Sequence, residues 1–161
     1  ENALGGLSRR HTALKNVRKR FGTVTAVDVG NQVRRFGRQA ELKFQATVDS
    51  LEIMKYEGIG FGPDDLKLSS GNLISAVLGA EPENTPFVCA NVSLLGFTPT
   101  YRVVQVGKRR VGITSVMGAD HIAKLNSDDL EVRPSEQGLA EALTALERCR
   151  APASNTALFD A

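Results

Sequence analysis

Apolar residues recur every three or four positions in three long stretches of the chain, which is the spacing of an amphipathic helix. The first stretch covers residues 7–21 and is followed directly by Gly22, a residue type that commonly ends a helix. The second covers residues 38–55, and the third begins near Pro134. A shorter stretch of the same kind ends at Gly79. We therefore predict four helices at these positions.

Between the helices lie runs rich in β-branched and other apolar residues, which favour short buried strands. The runs with this pattern are 23–29 and 86–92, whereas 58–63 is too rich in glycine for a helix and predicts a short strand that leads into a turn. Two further runs, 101–106 and 110–116, flank Gly107-Lys108-Arg109 and predict a β-hairpin. Because helices and strands alternate, we predict an α/β layered fold with a mixed sheet, helices on its faces and one inserted hairpin.

Length and composition predict one domain. The chain has 161 residues, 42% of them hydrophobic and 24% charged, which excludes intrinsic disorder, a coiled coil and a disulfide-rich miniprotein. We place a single, incomplete domain at residues 1–150 and a tail, or the lead-in to a missing strand, at 151–161. The chain starts at Glu1 without a methionine, so we expect a processed or partial sequence. No apolar run approaches the ~20 residues of a transmembrane helix, and we expect no such segment.

Charge is divided unevenly along the chain. Residues 1–43 contain ten lysines or arginines and three acidic residues, a net charge of +7, whereas the remainder contains ten basic and fifteen acidic residues. Such a division is compatible with an anionic partner for the first third of the chain. It is also compatible with a solvated basic helix face that lies near acidic neighbours in the fold. The sequence leaves both interpretations open.

Polar side chains follow three of the predicted strands. Asp28 and Asn31 flank a glycine turn after the first strand, Asp64 and Asp65 begin a helical turn after the second, and Asn91 closes the third. In open α/β sheets such residues gather beyond the carboxyl ends of the strands, and their oxygen atoms suit a divalent cation. The alternative is purely structural, since aspartate and asparagine also cap helices and shape turns.

Other catalytic patterns are missing from the sequence. It contains no dinucleotide-binding fingerprint, no phosphate-binding loop and no serine nucleophile elbow. His11 and His121 each stand without a second ligand at metal spacing, and we interpret both as structural or surface residues. Cys89 and Cys149 are 60 positions apart and fit no metal motif. Cys89 lies in an apolar run, so we expect it to pack in the core.

Six short segments, taken in order, resemble the N-terminal catalytic domain of the calcineurin-like metallophosphoesterases, in particular the bacterial 5′-nucleotidase branch. Gly5-Gly6-Leu7-Ser8-Arg9-Arg10 is similar to the Gly-Gly-Leu-Ala-Arg that opens the first helix of that branch, and Asp28-Val29-Gly30-Asn31 to its Asp-x-Gly-Asp. The other matching segments are 54–58, 62–66, 86–92 and 107–114. The resemblance spans about residues 5–118 and implies a layered metallophosphoesterase-like α/β domain.

The resemblance also implies which metal ligands have changed. The family holds two metals, and its first Asp-x-His pair would precede Glu1. Its bridging aspartate corresponds to Asn31, its ligand asparagine to Pro63 and its histidine to Asp64, while Asp65 keeps the acidic character of the next position. The later Gly-His-x-His ligands have no counterpart. A two-metal hydrolase needs both ions to hold the attacking and leaving oxygens, so these changes predict a degenerate domain without phosphatase activity.

We therefore expect a non-catalytic domain that serves as a structural or interaction module of a larger protein or complex. Its partners would be other protein chains or further segments of the same chain, and nucleic acid is not expected. The resemblance alone implies a periplasmic or otherwise exported location.

Two alternatives remain. In the first, residues outside this chain complete a manganese- or zinc-dependent phosphoester hydrolase, with Asp64 and Asp65 as catalytic candidates and Asp28, Asn31, Asp65 and Asn91 as metal-ligand candidates. In the second, the basic first third binds an anionic polymer.

Overall fold

The α/β class predicted from the sequence is confirmed. A computed structural model describes residues 6–34, 36–79, 84–125 and 127–150, and all structural statements concern these residues. None of the helices in these ranges is long and apolar enough to cross a membrane. The elements in chain order are α1 (Leu7–Phe21), β1 (Val27–Asp28), α2 (Arg38–Ile53), β2 (Gly58–Ile59), a 3₁₀ turn (Asp65–Lys67), α3 (Ser70–Leu78), β3 (Val92–Leu94), β4 (Arg102–Val106), β5 (Arg109–Ile113), α4 (Ala119–Ile122), β6 (Leu130–Val132) and α5 (Ser135–Arg150).

Three parallel segments form the centre of the fold. β1 pairs with β2, with Val27 opposite Gly58, and β2 continues into a parallel bridge between Ile59 and Phe87. Two backbone hydrogen bonds fix that bridge, from Ile59 N to Pro86 O at 2.8 Å and from Val88 N to Ile59 O at 2.9 Å. Because the segments are parallel, the loops that follow β1 and β2 leave the sheet at the same end, beyond the carboxyl ends of the strands.

The paired strands are shorter than the apolar runs of the sequence predicted. Of the run 23–29, only Val27–Asp28 pairs as a strand. The run 86–92 is divided: it pairs in parallel at Phe87, and from Val92 it enters β3, which pairs antiparallel with β6. A run rich in β-branched residues favours an extended backbone. It forms a strand only where a neighbouring segment comes within hydrogen-bond distance of its backbone.

The core lies between α2, α3 and the central segments. The apolar stripe predicted for α2 is buried at Ala40, Phe44, Val48 and Leu51. Phe87 lies in the middle of this core, with its ring centroid 5.0 Å from that of Phe61 and 6.3 Å from that of Phe44. Cys89 is also buried, as predicted.

The predicted hairpin is confirmed as β4 and β5, which pair from Arg102 opposite Ile113 to Val106 opposite Arg109. Ile113 and Val104 pack on Val88. At the turn, a Cβ on Gly107 would lie 3.2 Å from Thr23 Cγ2. The hairpin tip therefore lies beside the segment that joins α1 to β1.

Helix α1 forms where predicted, but none of its residues is buried. Leu7 and Leu14 are half-buried against the core, whereas Phe21 is 64% exposed. The helix is also attached by polar contacts, because the Arg18 guanidinium donates to the carbonyl oxygens of Met54 at 2.7 Å and Lys55 at 2.9 Å. Hydrogen bonds from Arg18 to these two backbone carbonyls thus help to attach α1 to the fold, a role that burial of apolar side chains usually fills.

Candidate functional site

The loops that follow β1 and β2 meet at two glycines. A Cβ on Gly30 would lie 2.3 Å from Gly62 N, and a Cβ on Gly62 would lie 2.3 Å from Asn31 N. Gly30 also has a φ of +86°, in the left-handed region that favours glycine. Only glycine fits at this crossing. The predicted gathering of polar residues beyond the strand ends is therefore found for these two loops.

Asp65 is the buried carboxylate at the centre of this crossing, with 1% of its surface exposed. Its Oδ2 accepts hydrogen bonds from Asn31 N at 2.6 Å and Gly62 N at 2.9 Å. Its Oδ1 accepts from Gln32 N at 2.7 Å and Val33 N at 3.2 Å. A carboxylate offers about four lone-pair sites, so these four backbone N–H groups saturate it. Asp65 thereby ties the loop after β1 to the loop after β2.

Burial also changes the titration of this group. Desolvation raises the pKa of Asp65 above its ordinary value near 4, and the four backbone N–H donors oppose that rise only in part. In the window between the ordinary and the raised pKa, the native state keeps a proton that the unfolded state has lost. Stability due to this group is therefore present at low pH and decreases as pH rises through the window.

Asp65→Asn is expected to reveal this dependence. Asparagine does not titrate, so the difference in unfolding free energy between wild type and Asp65→Asn should decrease as pH rises from about 4 toward neutrality. Urea unfolding of both proteins at several pH values measures the difference. A difference that grows with rising pH would show that the N–H donors, rather than burial, dominate the pKa of Asp65.

Asp28 is engaged by three donors. The Arg10 guanidinium donates from Nη1 to Asp28 Oδ2 at 2.7 Å, while Gly30 N donates to Oδ1 at 2.9 Å and Gln32 Nε2 donates to the same oxygen. The Asp28 side chain is only 11% exposed. Sequence reasoning missed Arg10 as a partner because it lies 18 positions away and belongs to a different element. The four-residue spacing of Asp28 and Gln32 was the only local signal for this cluster.

Asn31 and Asp64 lie at the outer side of the crossing. Asn31 has a φ of 63°, and its Oδ1 accepts a long hydrogen bond of 3.4 Å from Asp64 N. The Asp64 carboxylate pairs with Lys67 Nζ at 2.9 Å, and both side chains are about one-third exposed. The two adjacent acids of the sequence therefore occupy different environments, one buried and saturated and the other at the surface beside a lysine.

Asn91 makes its hydrogen bonds away from this crossing. Its Nδ2 donates to Met117 O at 2.9 Å and Ser135 Oγ at 3.1 Å, and its Oδ1 accepts from Met117 N at 2.9 Å. The side chain is buried and joins the end of the third parallel segment to the start of α5. Its donors and its acceptor are all used within the protein.

The described donor groups do not fit a two-metal centre. Such a centre needs several anionic or imidazole ligands around each ion and an anion between the two ions. Within the ranges that the structure covers, no group of three or more histidine, cysteine, aspartate and glutamate residues is arranged to hold a metal. His11 and His121 are exposed. The pyrrolidine of Pro63 provides no ligand atom, and Asn31 provides only a neutral amide.

The fold of this chain is similar to that of known proteins. No protein-family model matches the chain. A 5′-nucleotidase precursor from Thermus thermophilus is similar with a TM-score of 0.75 and 23% identity, over 91% of this chain and 30% of that one. The NAD nucleotidase of Haemophilus influenzae is similar with a TM-score of 0.70 and 16% identity, over 91% and 30% of the two chains.

A curated relative gives the same result from sequence. The snake venom 5′-nucleotidase of Crotalus adamanteus is 22% identical over an alignment of 121 residues, and the match covers 70% of this chain and 20% of that protein. The chain thus spans less than a third of the length of each of these three relatives. It has the calcineurin-like fold of the N-terminal domains of 5′-nucleotidases, as the sequence resemblance predicted.

Proposed function

We propose that this chain is a non-catalytic metallophosphoesterase-like domain that acts as a structural or interaction module. One observation carries the proposal: the two carboxylates at the crossing of the loops after β1 and β2 are already engaged by the protein. Asp65 accepts four backbone N–H groups, and Asp28 accepts a guanidinium and two further donors.

The cost of recruiting Asp65 for a metal supports this proposal. An ion bound to either oxygen would have to displace backbone N–H groups that are buried at the loop crossing. Each buried donor left without a partner costs about 1–3 kcal/mol. Ligand exchange here would therefore weaken the attachment between the two loops.

Arg10 supports the proposal for Asp28. Its positively charged guanidinium lies 2.7 Å from Asp28 Oδ2. A divalent cation would have to share the carboxylate with this fixed charge. At the outer side of the loop crossing, Asn31 supplies a neutral amide, and Asp64 supplies a carboxylate that is paired with Lys67. No described contact favours the hydrolase alternative.

Relatives with longer chains support a role within a larger protein. We extend the proposal to an exported, periplasmic or surface-bound protein in which further segments or other chains complete the function. The support is that similar chains include a 5′-nucleotidase precursor of which this chain covers 30%.

A hydrolysis assay tests the non-catalytic role. We expect no manganese- or zinc-dependent release of phosphate from 5′-AMP, and no cleavage of bis-p-nitrophenyl phosphate, above the rate of the heat-denatured protein. The control variant is Asp28→Asn combined with Asp64→Asn, which removes the acids that are not fully buried. Turnover by the wild type that disappears in this variant would refute the proposal.

A further inference from the structure

A cavity of about 320 Å³ lies at the opposite end of the central segments from the loop crossing. Its wall includes Tyr56 and Pro86, which precede the paired residues Gly58 and Phe87, so it stands beyond the amino ends of these segments. Other parts of the wall come from α2, the end of α3 and the start of β4. Sites for small molecules have volumes from about 300 Å³ upward, so this cavity has room for a ligand the size of an amino acid.

One wall of the cavity carries a carboxylate without a partner. The Glu52 side chain forms no ion pair and no hydrogen bond with another residue in the described ranges. Its Oε1 lies 3.6 Å from the position of a Cβ on Gly79, which follows the last residue of α3 and marks the negative end of that helix dipole. Desolvation raises the pKa of Glu52, and the charge of Asp49 raises it further. These surroundings disfavour a bare carboxylate, so a cation beside it would be stabilised.

Arg102, at the start of β4, is the basic residue of the wall. Its Nη1 donates to Asn84 O at 2.6 Å and to Thr85 O, which holds the guanidinium in place. The segment that provides these carbonyls is itself fixed, because Thr85 Oγ1 donates to Val77 O and accepts from Phe87 N at 3.2 Å. Within the described part of the chain, Nε and Nη2 of Arg102 form no hydrogen bond. A guanidinium with two nitrogens available binds a carboxylate through paired hydrogen bonds.

We propose that this cavity binds a zwitterionic α-amino acid, with the ammonium group on Glu52 and the carboxylate on Arg102. These two side chains line one cavity but form no ion pair with each other, so a ligand that carries both charges can bridge them. Tyr56, Leu78 and Pro86 line the same cavity and favour an apolar ligand side chain. The proposal goes beyond the non-catalytic role and does not depend on it, because Asp28, Asn31, Asp64 and Asp65 are not part of this wall.

Charge separates this ligand from two simpler ones. An amine without a carboxylate would satisfy Glu52 and leave the free nitrogens of Arg102 unused. A carboxylic acid without an amine would satisfy Arg102, but it would bring a second negative charge to a cavity where Glu52 already lies near Asp49. Of the three, the amino acid alone satisfies both charged walls.

L-Leucine is the probe, and 3-methylbutylamine and 4-methylpentanoate are its controls. The amine lacks the carboxylate of leucine and the acid lacks its ammonium group, whereas all three share the same branched apolar chain. We expect leucine to bind the full chain with a dissociation constant below about 1 mM and each control to bind at least about tenfold more weakly. Chemical-shift changes in ¹H–¹⁵N NMR spectra measure the three affinities. Absence of leucine binding up to about 10 mM would overturn the proposal, and so would a control that binds as tightly as leucine.

Glu52→Gln tests the ammonium side of the site. The substitution removes the charge of a side chain that has no described partner, so the melting temperature should not fall. Leucine should bind at least about tenfold more weakly, whereas 4-methylpentanoate should bind at least as tightly as it binds the wild type, because the repelling charge is gone. Glu147→Gln makes the same change at an exposed position outside the cavity and should alter either affinity less than about twofold. Equal losses of leucine binding in the two variants, or weaker binding of both ligands by Glu52→Gln, would overturn the assignment of Glu52.

Arg102→Lys tests the carboxylate side. Lysine keeps the positive charge and can still donate to a backbone carbonyl, but it lacks the planar fork that binds a carboxylate. We expect leucine to bind at least about fivefold more weakly and 3-methylbutylamine to bind within about twofold of the wild type. Arg110→Lys is the control, at an exposed position of β5 outside the cavity. Unchanged leucine affinity in a folded Arg102→Lys protein would overturn the assignment of Arg102.

The same preparations are assayed for metal-dependent hydrolysis, which separates the two proposals. Turnover would refute the non-catalytic role regardless of leucine binding. Absence of leucine binding would overturn the amino-acid site and would leave the non-catalytic role as it stands.

Discussion

Asp65→Ala is expected to lower the free energy of unfolding by about 3–5 kcal/mol, because it leaves buried backbone donors without an acceptor. Four N–H groups, from Asn31, Gln32, Val33 and Gly62, point at this carboxylate within 3.2 Å. Alanine supplies no acceptor, and the buried site at the crossing gives water little access. Urea unfolding followed by circular dichroism measures the loss.

Asp64→Ala is the matched control, because it removes the neighbouring acid of the same sequence pair. The Asp64 carboxylate is partly exposed and pairs with Lys67 at the surface, an interaction of about 0–1 kcal/mol. We expect its loss to change stability by less than about 1 kcal/mol. Similar effects for the two substitutions would contradict the assignment of Asp65 as the clamp between the loops.

Gly62→Ala is expected to destabilise the protein by more than about 3 kcal/mol, the largest effect of any single methyl group that we predict. The new Cβ would lie 2.3 Å from Asn31 N, 2.4 Å from Asn31 Cα and 2.5 Å from Asn31 Cβ. Backbone atoms cannot move aside as a flexible side chain can, so the two loops would have to separate. That separation would also break the hydrogen bonds from Asn31 and Gly62 to Asp65.

Gly71→Ala provides the comparison for this substitution. Gly71 lies in α3, and apart from its chain neighbours and its own helix backbone no described atom stands within 4 Å of the Cβ that it would gain. Alanine favours helix over glycine, so stability should stay constant or rise by up to about 1 kcal/mol. Thermal and urea unfolding of both variants give the two values. A Gly62→Ala protein as stable as Gly71→Ala would contradict the close crossing of the loops.

The sequence predicted the parts of the fold that depend on repeated local patterns. The apolar residues of α2 recur over four turns, and those of its inner face, such as Phe44 and Leu51, are buried. The hairpin follows from two apolar runs around Gly107. In both elements the residues that define the pattern also make the contacts that stabilise the element.

Other parts depend on contacts between distant segments and were not predictable. β6 has only three residues, and it becomes a strand because Val92 and Leu94 of β3 lie beside it. Helix α1 carries apolar residues at helical spacing, yet Phe21 remains exposed because no described element covers it. A hydrophobic pattern indicates which face of an element can be buried, while only the tertiary structure shows what covers that face.

The candidate site shows the same division. The sequence identified the two loops and all five polar candidates. The structure brings four of these candidates together at the crossing of the two loops, namely Asp28, Asn31, Asp64 and Asp65. It did not distinguish Asp64 from Asp65, because adjacent acids carry the same local signal. Burial and the direction of four backbone N–H groups separate them. Whether any of the candidates binds a metal stays a prediction.

The amount of metal bound per chain shows most directly whether the carboxylates at the loop crossing serve the fold. Purified protein is incubated with excess manganese or zinc, desalted and analysed by elemental mass spectrometry beside the Asp28→Asn, Asp64→Asn variant. We expect far less than one ion per chain and no difference between the two proteins. One or two ions per wild-type chain that are lost in the variant would contradict the account.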